Sequence, residues 1–288
     1  MYRFFVTSGA IEGETLTVAG PDAHHMAHVL RMTPGEDFEA VDEAGRVYTC
    51  RIEEPRRSCG EAVDRLPGDD RTRSARGEAS DRRSGDDRAR SGSGHGAPSE
   101  TIVRAKILFS ELSGCELKSR LVLYQGLPKF EKMELIIQKA VELGASEIIP
   151  VSTARTVVRL DAKKAASKRE RWQAIAVAAA KQSKRSVIPD VAPVMTFREA
   201  LENAAALDHI LIPYEKAEDI AETKALLSAL KSGESVGVFI GPEGGFEERE
   251  IEEALTAGAK AVTLGPRILR CETAAITTLS ILMFQLTE

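Results

Sequence analysis

Two glycine-containing loops near the C-terminal end of the chain could form a ligand site. The first, GPEGGF at 241–246, follows the β-rich run 236–240, and the second, LGPRILRCETA at 264–274, follows the short apolar run 261–264. In open α/β sheets ligands bind beyond the carboxyl ends of the strands, where both loops are predicted to lie. Because glycine allows positive φ and close approach of a flat ligand to main-chain amides and carbonyls, we expect one shared small-molecule site.

The first loop taken alone also fits an ordinary strand-to-helix turn. The spacing of the two loops, with arginines flanking an apolar pair in the second, favours the ligand site. Neither loop continues into GKS or GKT, and neither contains GxGxxG. Nucleoside triphosphate and NAD sites are therefore disfavoured.

Strand-like and helix-like segments alternate from Leu121 onwards. This alternation predicts an α/β fold with a mostly parallel sheet covered on both faces. Thr196 and Glu199 have the spacing of a helix capping box. The predicted elements are strands at 121–124, 147–151 and 209–213 and helices at 131–143, 162–184, 247–255 and 273–286.

The N-terminal part reads as a small, mainly β domain. Short strands are predicted within 1–53 and 101–109, with a short helix at 24–30. We expect two domains, 1–115 and 116–288. Within the first domain lies the segment 55–99, which contains ten arginines and eight acidic residues but few aliphatic ones. Such a composition predicts a disordered insertion, either a polyampholyte linker or an RNA-binding tail.

The charge of the chain is unevenly distributed. The net charge is −5, yet residues 116–200 carry 16 Lys and Arg against 9 Asp and Glu, whereas residues 201–288 carry 7 against 15. The basic middle is either a solvated face or a source of phosphate contacts, because Lys and Arg neutralise nucleic-acid backbones.

Other functional classes have little support. The four cysteines form no CxxC pair, and His24 and His28 share a possible helical face without a third ligand, so we expect no metal site and no disulfide framework. No apolar run approaches the roughly 20 residues of a membrane span. We expect a cytoplasmic protein with no membrane association.

The two loops, together with LPK at 127–129, QKAVELG at 138–144 and QSKR at 182–185, carry a resemblance to a known family. The chain resembles the SPOUT methyltransferases, specifically the bacterial family that methylates N3 of a uridine in 16S ribosomal RNA. The resemblance covers most of the chain except about 55–99, where the family would join two strands by a short turn.

This resemblance implies a PUA-like β-barrel domain followed by a SPOUT α/β domain with a C-terminal trefoil knot. It also implies a homodimer with the last helix in the interface, S-adenosyl-L-methionine as cofactor, no metal, and 16S ribosomal RNA in the small subunit as partner. The cofactor residues expected on this basis are Leu211, Pro213, Ile240, Gly241, Glu243, Gly244, Gly245, Leu264, Gly265, Ile268, Leu269 and Thr273.

Methylation at uridine N3 requires loss of a proton and stabilisation of the anion that develops. Arg270 is the candidate for stabilising the anion, although a phosphate or dimer contact would equally explain it. Glu243 or Glu272 would accept the proton, directly or through water, although Glu272 also fits as a carboxylate favoured by a helix N-terminus.

Arg3 and Arg31 match the family's pattern for RNA contacts, and the basic segment supplies the remaining candidates. The expected RNA-binding residues are Arg3, Arg31, Lys129, Lys132, Arg155, Lys184 and Arg185. Two alternative functions stay open: methylation of another RNA nucleotide or position, and a catalytically silent RNA-binding assembly protein.

Overall fold

The structure is a computed structural model that describes residues 1–57, 101–112, 114–217 and 219–287. Residues 58–99 of the predicted insertion at 55–99 lie outside the described residues. Its first three residues, 55–57, are the end of a strand and so do not belong to an insertion.

Two compact units make up the chain. The first unit comprises Met1–Gly9, Phe38–Thr49 and Leu108–Glu288, and the second comprises Ala10–Asp37 and Cys50–Ile107. The predicted domain boundary at 115/116 stays a prediction.

A six-stranded sheet is built from the N-terminal strands, which are β1 Arg3–Phe5, β2 Ile11–Glu12, β3 Thr15–Ala19, β4 Asp37–Val41, β5 Arg46–Arg57 and β6 Thr101–Leu112. Their order in the sheet is β1-β4-β5-β6-β3-β2. Strands β1 and β4 pair in parallel, with Arg3 opposite Glu39, whereas β3 pairs antiparallel with β6. Strand β3 leads into α1, Gly20–His24, and a single wide turn, His25–Val29, follows it.

A seven-stranded sheet lies in the first unit, and all of its pairings are parallel. Its strands are β7 Arg120–Gly126, β8 Glu147–Ser152, β9 Asp190–Val191, β10 Met195–Thr196, β11 His209–Pro213, β12 Ser235–Ile240 and β13 Lys260–Val262. Their order is β10-β8-β7-β12-β11-β13, and β9 pairs with β8 beside this path. Because parallel strands point the same way, the loops that follow them all leave from one edge of the sheet.

Side chains of alternate residues on each strand face opposite cores, as the two-residue period of a strand requires. The helices are α2 Lys132–Glu142, α3 Ala162–Gln182, α4 Phe197–Ala204, α5 Ile220–Ala229, α6 Glu248–Thr256 and α7 Cys271–Leu286. On β7, Leu121 and Leu123 belong to the core packed against α2, α3 and α7, whereas Val122 and Tyr124 belong to the core packed against α4 and α6. The sheet is thus covered on both faces, as predicted.

Local sequence signals located most of these elements. The strand at 209–213 has the predicted bounds, and the predicted capping box is present, with Thr196 accepting from the Glu199 amide and Glu199 accepting from the Thr196 amide. Helix α5 and the short strands β9 and β10 were not predicted. Among the helices that the structure describes, none combines the length and the apolar character of a membrane span.

Candidate functional site

A cavity of about 470 Å³ opens at the carboxyl edge of the parallel sheet. The loops after three neighbouring strands line it, namely those after β11, β12 and β13. Its lining residues are Lys132, Arg155, Pro213, Tyr214, Glu215, Ile240, Gly241, Pro242, Glu243, Gly244, Gly245, Phe246, Thr263, Leu264, Gly265, Arg267, Ile268, Leu269, Arg270, Cys271 and Ala274. The two glycine loops singled out from the sequence therefore meet in one cavity, with the loop after β11 as its third wall.

The loop after β12 depends on close backbone packing at two glycines. A Cβ on Gly241 would lie 3.0 Å from Cα of Gly245, so the close approach of the two arms of the loop depends on the absence of a side chain at Gly241. A Cβ on Gly126, at the end of β7, would lie 2.6 Å from Cδ of Pro242. The absence of a side chain at Gly126 thus allows the loop to pack directly against the end of β7.

Two glycines of the cavity have backbone conformations that favour glycine. Gly245 has φ +66 and Gly265 has φ +102, and nothing lies within 4 Å of a Cβ added at either. The requirement for glycine at these positions is therefore conformational, because an L side chain there would strain the backbone whatever the space around it.

Lys132, the first residue of α2, joins the loop after β12 to the start of α7. Its ammonium group lies 3.0 Å from Glu243 Oε1 and 3.4 Å from Glu272 Oε2. The backbone N–H of Lys129 also donates to both carboxylate oxygens of Glu243, at 3.1 and 3.2 Å. Three segments that are distant in sequence are therefore held together at one side of the cavity.

This cluster changes the acidity of its members. Burial acts to raise the pKa of the Glu243 and Glu272 carboxyl groups, but hydrogen bonds and the Lys132 charge outweigh it and leave each pKa below the ordinary glutamate value. The hydrogen bond to Glu243 is the main cause of a raised pKa at Lys132. All three groups are therefore charged at neutral pH.

The thiol of Cys271 has the opposite behaviour. Burial, followed by its hydrogen bond to Glu272, raises the pKa of Cys271 to about 12. The thiol remains protonated near neutral pH and donates to Glu272 Oε2 over 3.2 Å. Since the thiolate is the reactive form, Cys271 is unsuited to act as a nucleophile.

Cationic side chains surround much of the cavity. Arg267 and Arg270 are exposed on the loop after β13, and Arg155 donates from Nη1 to the carbonyl oxygen of Gly244 over 2.9 Å. Between the two loop arginines, Ile268 lines the cavity and is 88 % exposed. The cavity thus combines an apolar wall with cations suited to an anionic or polar ligand.

Two of the residues expected to contact the cofactor do not line the cavity. Leu211 is buried in the core against α2, α3 and α7, because its position on β11 directs its side chain to the face of the sheet that these helices cover. Thr273 is exposed on the first turn of α7. The assignment of Leu211 is corrected, because a ligand cannot reach its buried side chain, and that of Thr273 stays a prediction. The other ten residues of that set all line the cavity.

Two of the predicted RNA contacts are also corrected, because their side chains are buried and paired within the protein. Arg185 is 6 % exposed and donates to Glu116 Oε2 from Nη2 over 2.6 Å. Arg3 bonds Glu39 Oε2 over 2.9 Å and donates to the Lys184 carbonyl oxygen. Neither guanidinium group is available to a phosphate.

The remaining RNA candidates differ in their surroundings. Arg31, Lys129, Arg155 and Lys184 are exposed, and their RNA contacts stay predictions. Lys132 lies in the cavity with its charge compensated by two carboxylates, so its contacts do not favour a phosphate.

Sequence reasoning missed the contributions of Gly126, Arg267 and the thiol of Cys271. The signal for Gly126 was its position at the end of β7, where a glycine marks close backbone approach. Among the described residues, no group of three or more His, Cys, Asp or Glu side chains is placed to hold a metal ion. His24 and His28 do share a face, with ring centroids 4.6 Å apart.

Comparison with known proteins gives a consistent result. A family model described as RNA methyltransferase domain matches residues 115–283, and one described as RNA methyltransferase PUA domain matches residues 18–59. The ribosomal RNA small subunit methyltransferase E of Bacillus subtilis is 32% identical over 99% of this chain and 97% of its own length. That of Mycobacterium bovis is 29% identical over 94% of this chain and 87% of its own.

A crystal structure of a ribosomal RNA small subunit methyltransferase E from Neisseria gonorrhoeae, bound to S-adenosyl methionine, is similar in fold. Its TM-score is 0.71 at 26% identity, with 99% of this chain and 97% of the other chain covered.

Proposed function

The chain belongs to the RNA methyltransferase family of the ribosomal RNA small subunit methyltransferase E proteins, and we propose that it methylates N3 of a uridine in 16S ribosomal RNA. The methyl donor is S-adenosyl-L-methionine, the ligand of the similar Neisseria protein. The observation that carries the proposal is the single cavity formed by the three loops after β11, β12 and β13.

The cavity fits a cofactor of this kind. Its volume lies within the roughly 300–1,000 Å³ of pockets that bind small molecules. In this proposal, backbone groups between Ile240 and Gly245 and between Leu264 and Leu269 would hydrogen-bond a nucleoside edge, and Leu264 and Ile268 would pack against its apolar faces. When bound, S-adenosylmethionine supplies a methyl group on a sulfonium sulfur.

The residues of the chain have the remaining tasks of orienting the base and removing its proton. Holding the reacting atoms in line is the main task in such a transfer. Arg270 is placed on the cavity wall, and its positive charge would stabilise the uridine anion as the N3 proton leaves.

Of the two candidate carboxylates, Glu272 is the better proton acceptor. Glu243 accepts two bonds from the Lys129 amide and an ion pair at 3.0 Å from Lys132, so its oxygens are engaged in holding the loop. Glu272 does not itself line the cavity, although its neighbour Cys271 does, so it would accept the proton through water. It has the longer contact to Lys132, at 3.4 Å, and only the weak donor of the Cys271 thiol. We therefore assign proton acceptance to Glu272 and loop positioning to Glu243.

Paired variants test this assignment. Glu272→Gln should lower methyl transfer while cofactor affinity is kept, whereas Glu243→Gln should weaken cofactor binding itself, measured by calorimetry. Loss of cofactor affinity in Glu272→Gln, with normal affinity in Glu243→Gln, would reverse the two roles.

Two features of the fold are also proposed, a trefoil knot and a PUA-like barrel. Strand β12 lies between β7 and β11, and β13 lies beyond β11, an order that supports a trefoil knot in the C-terminal part. The match of residues 18–59 to a PUA domain supports closure of the N-terminal sheet into a barrel that binds RNA. An experimental chain trace of both regions would test these two proposals.

A homodimer through α7 is supported by apolar side chains that remain on its surface. Phe284 is 83 % exposed and Ile281 is exposed on the same helix. Sedimentation analysis should show a dimer for the wild type and a monomer for Phe284→Glu, and a monomeric wild type would contradict the proposal.

The proposed reaction is tested with purified protein, isotopically labelled cofactor and small ribosomal subunits, followed by digestion of the RNA to nucleosides. We expect label in 3-methyluridine. Label in another nucleoside would favour a different target within the family, and RNA binding without any label would favour a silent binding protein. We also expect a short naked oligonucleotide to be methylated more slowly than the subunit, since phosphate and shape contacts extend beyond one short sequence.

A further inference from the structure

Phe130, in the loop between β7 and α2, has an unusual combination of backbone and exposure. Its φ is +59 and its side chain is 87 % exposed. A bulky residue at positive φ is strained, and in this case no burial of the ring compensates for the strain. Backbone strain of this kind is concentrated at sites that bind ligands.

The neighbours of Phe130 explain why the ring is held at this place. Lys129 donates its backbone N–H to the Glu243 carboxylate, and Lys132 pairs with the same carboxylate. Glu243 and Lys132 both line the cavity. Because adjacent Cα atoms are about 3.8 Å apart, Phe130 is fixed at the rim of the cavity, with its ring directed to solvent.

The surroundings of the ring match the chemistry of single-stranded RNA. Unpaired bases stack on aromatic rings, and nearby Lys or Arg side chains contact the phosphates. Lys129 precedes Phe130 in the chain, and Arg155 lies on the cavity wall. An exposed ring between a cationic loop and the methyl-donor cavity is therefore better placed to stack on an RNA base than to pack in a protein core.

We propose that Phe130 is a stacking platform for an unpaired base of the RNA substrate beside the methylated uridine. The inference rests on the proposed function, because it requires RNA at this cavity. The ring faces outward, so it holds a base next to the target, while the target base enters the cavity.

Three variants test the proposal. Phe130→Gly removes the ring and relieves the positive φ, Phe130→Tyr keeps a ring, and Leu255→Ala shortens an exposed apolar side chain on α6 that does not line the cavity. For each, the dissociation constant for small-subunit RNA, the dissociation constant for S-adenosylmethionine and unfolding in urea are measured.

We expect Phe130→Gly to weaken RNA binding by about 5-fold to 150-fold, the usual effect of losing one aromatic–base stack. Its cofactor affinity should stay within about twofold, and its resistance to urea should be unchanged or higher, because glycine tolerates positive φ. Phe130→Tyr and Leu255→Ala should bind RNA as the wild type does.

Unchanged RNA affinity in Phe130→Gly would overturn the proposal, and so would a loss of affinity that is accompanied by lower resistance to urea. The proposed function fails separately, if the wild type transfers no methyl group to small-subunit RNA.

Discussion

Substitution of Gly265 by alanine separates a conformational requirement of the cofactor loop from general instability. Gly265 has φ +102, and nothing lies within 4 Å of an added Cβ, so the substitution introduces backbone strain without a collision. Such strain costs roughly 1–3 kcal/mol. Gly258, at the end of α6, is the matched control, because it has φ +94 and equally open space but does not line the cavity.

In Gly265→Ala the loop can relax away from the positive φ of residue 265. A ligand that binds the wild-type loop conformation must then restore that strained φ. If binding must restore the full backbone strain, its cost of roughly 1–3 kcal/mol corresponds to a loss of about 5-fold to 150-fold in affinity. Calorimetry with S-adenosylmethionine should show this loss for Gly265→Ala. Gly258→Ala should reduce the free energy of unfolding by a similar amount without changing affinity. Equal cofactor affinities in the two variants would refute a cofactor site on the loop after β13.

Further predictions concern stability, proton transfer and metal dependence. Arg185→Ala should lower the free energy of unfolding in urea by about 3–5 kcal/mol, because it removes the charged partner of the partly buried Glu116 and the donor to the buried carbonyl oxygens of Val141 and Ala145. Arg198→Ala at an exposed pair should cost less than about 1 kcal/mol, and similar losses would contradict the structural role of Arg185. Glu272→Gln should reduce methyl transfer by about 100-fold or more. Because the pKa of Glu272 is lowered, wild-type transfer at this step should stay constant from neutral pH down to below the ordinary glutamate value and fall only as pH drops through the lowered pKa; a fall already near neutral pH would exclude Glu272 as the acceptor. A chelator should leave the rate of methyl transfer unchanged. Loss of methyl transfer on chelation would show that the reaction needs a metal ion.

Short-range signals in the sequence were enough to predict the alternating strands and helices. The run 209–213 and the spacing of Thr196 and Glu199 depend on neighbours within a few residues. Helix α5 was missed because Ile220, Leu226 and Leu227 do not mark one clear apolar face in its sequence.

Long-range contacts decided where sequence reasoning was wrong. Arg185 pairs with Glu116, 69 positions earlier in the chain, and no local pattern shows that a basic residue in a basic segment is buried against it. The glycine loops were predictable because each carries its own conformational requirement. The bridge from Lys132 to two carboxylates was not, since it joins three separate segments.

The central claim is that this chain methylates N3 of one uridine in 16S ribosomal RNA. The most direct measurement is mass mapping of modified nucleosides in 16S ribosomal RNA from cells with the protein, without it, and with only the Gly265→Ala variant. We predict that one 3-methyluridine is present with the protein, absent without it and reduced with the variant. A 3-methyluridine that persists at the same level in cells lacking the protein would contradict the claim.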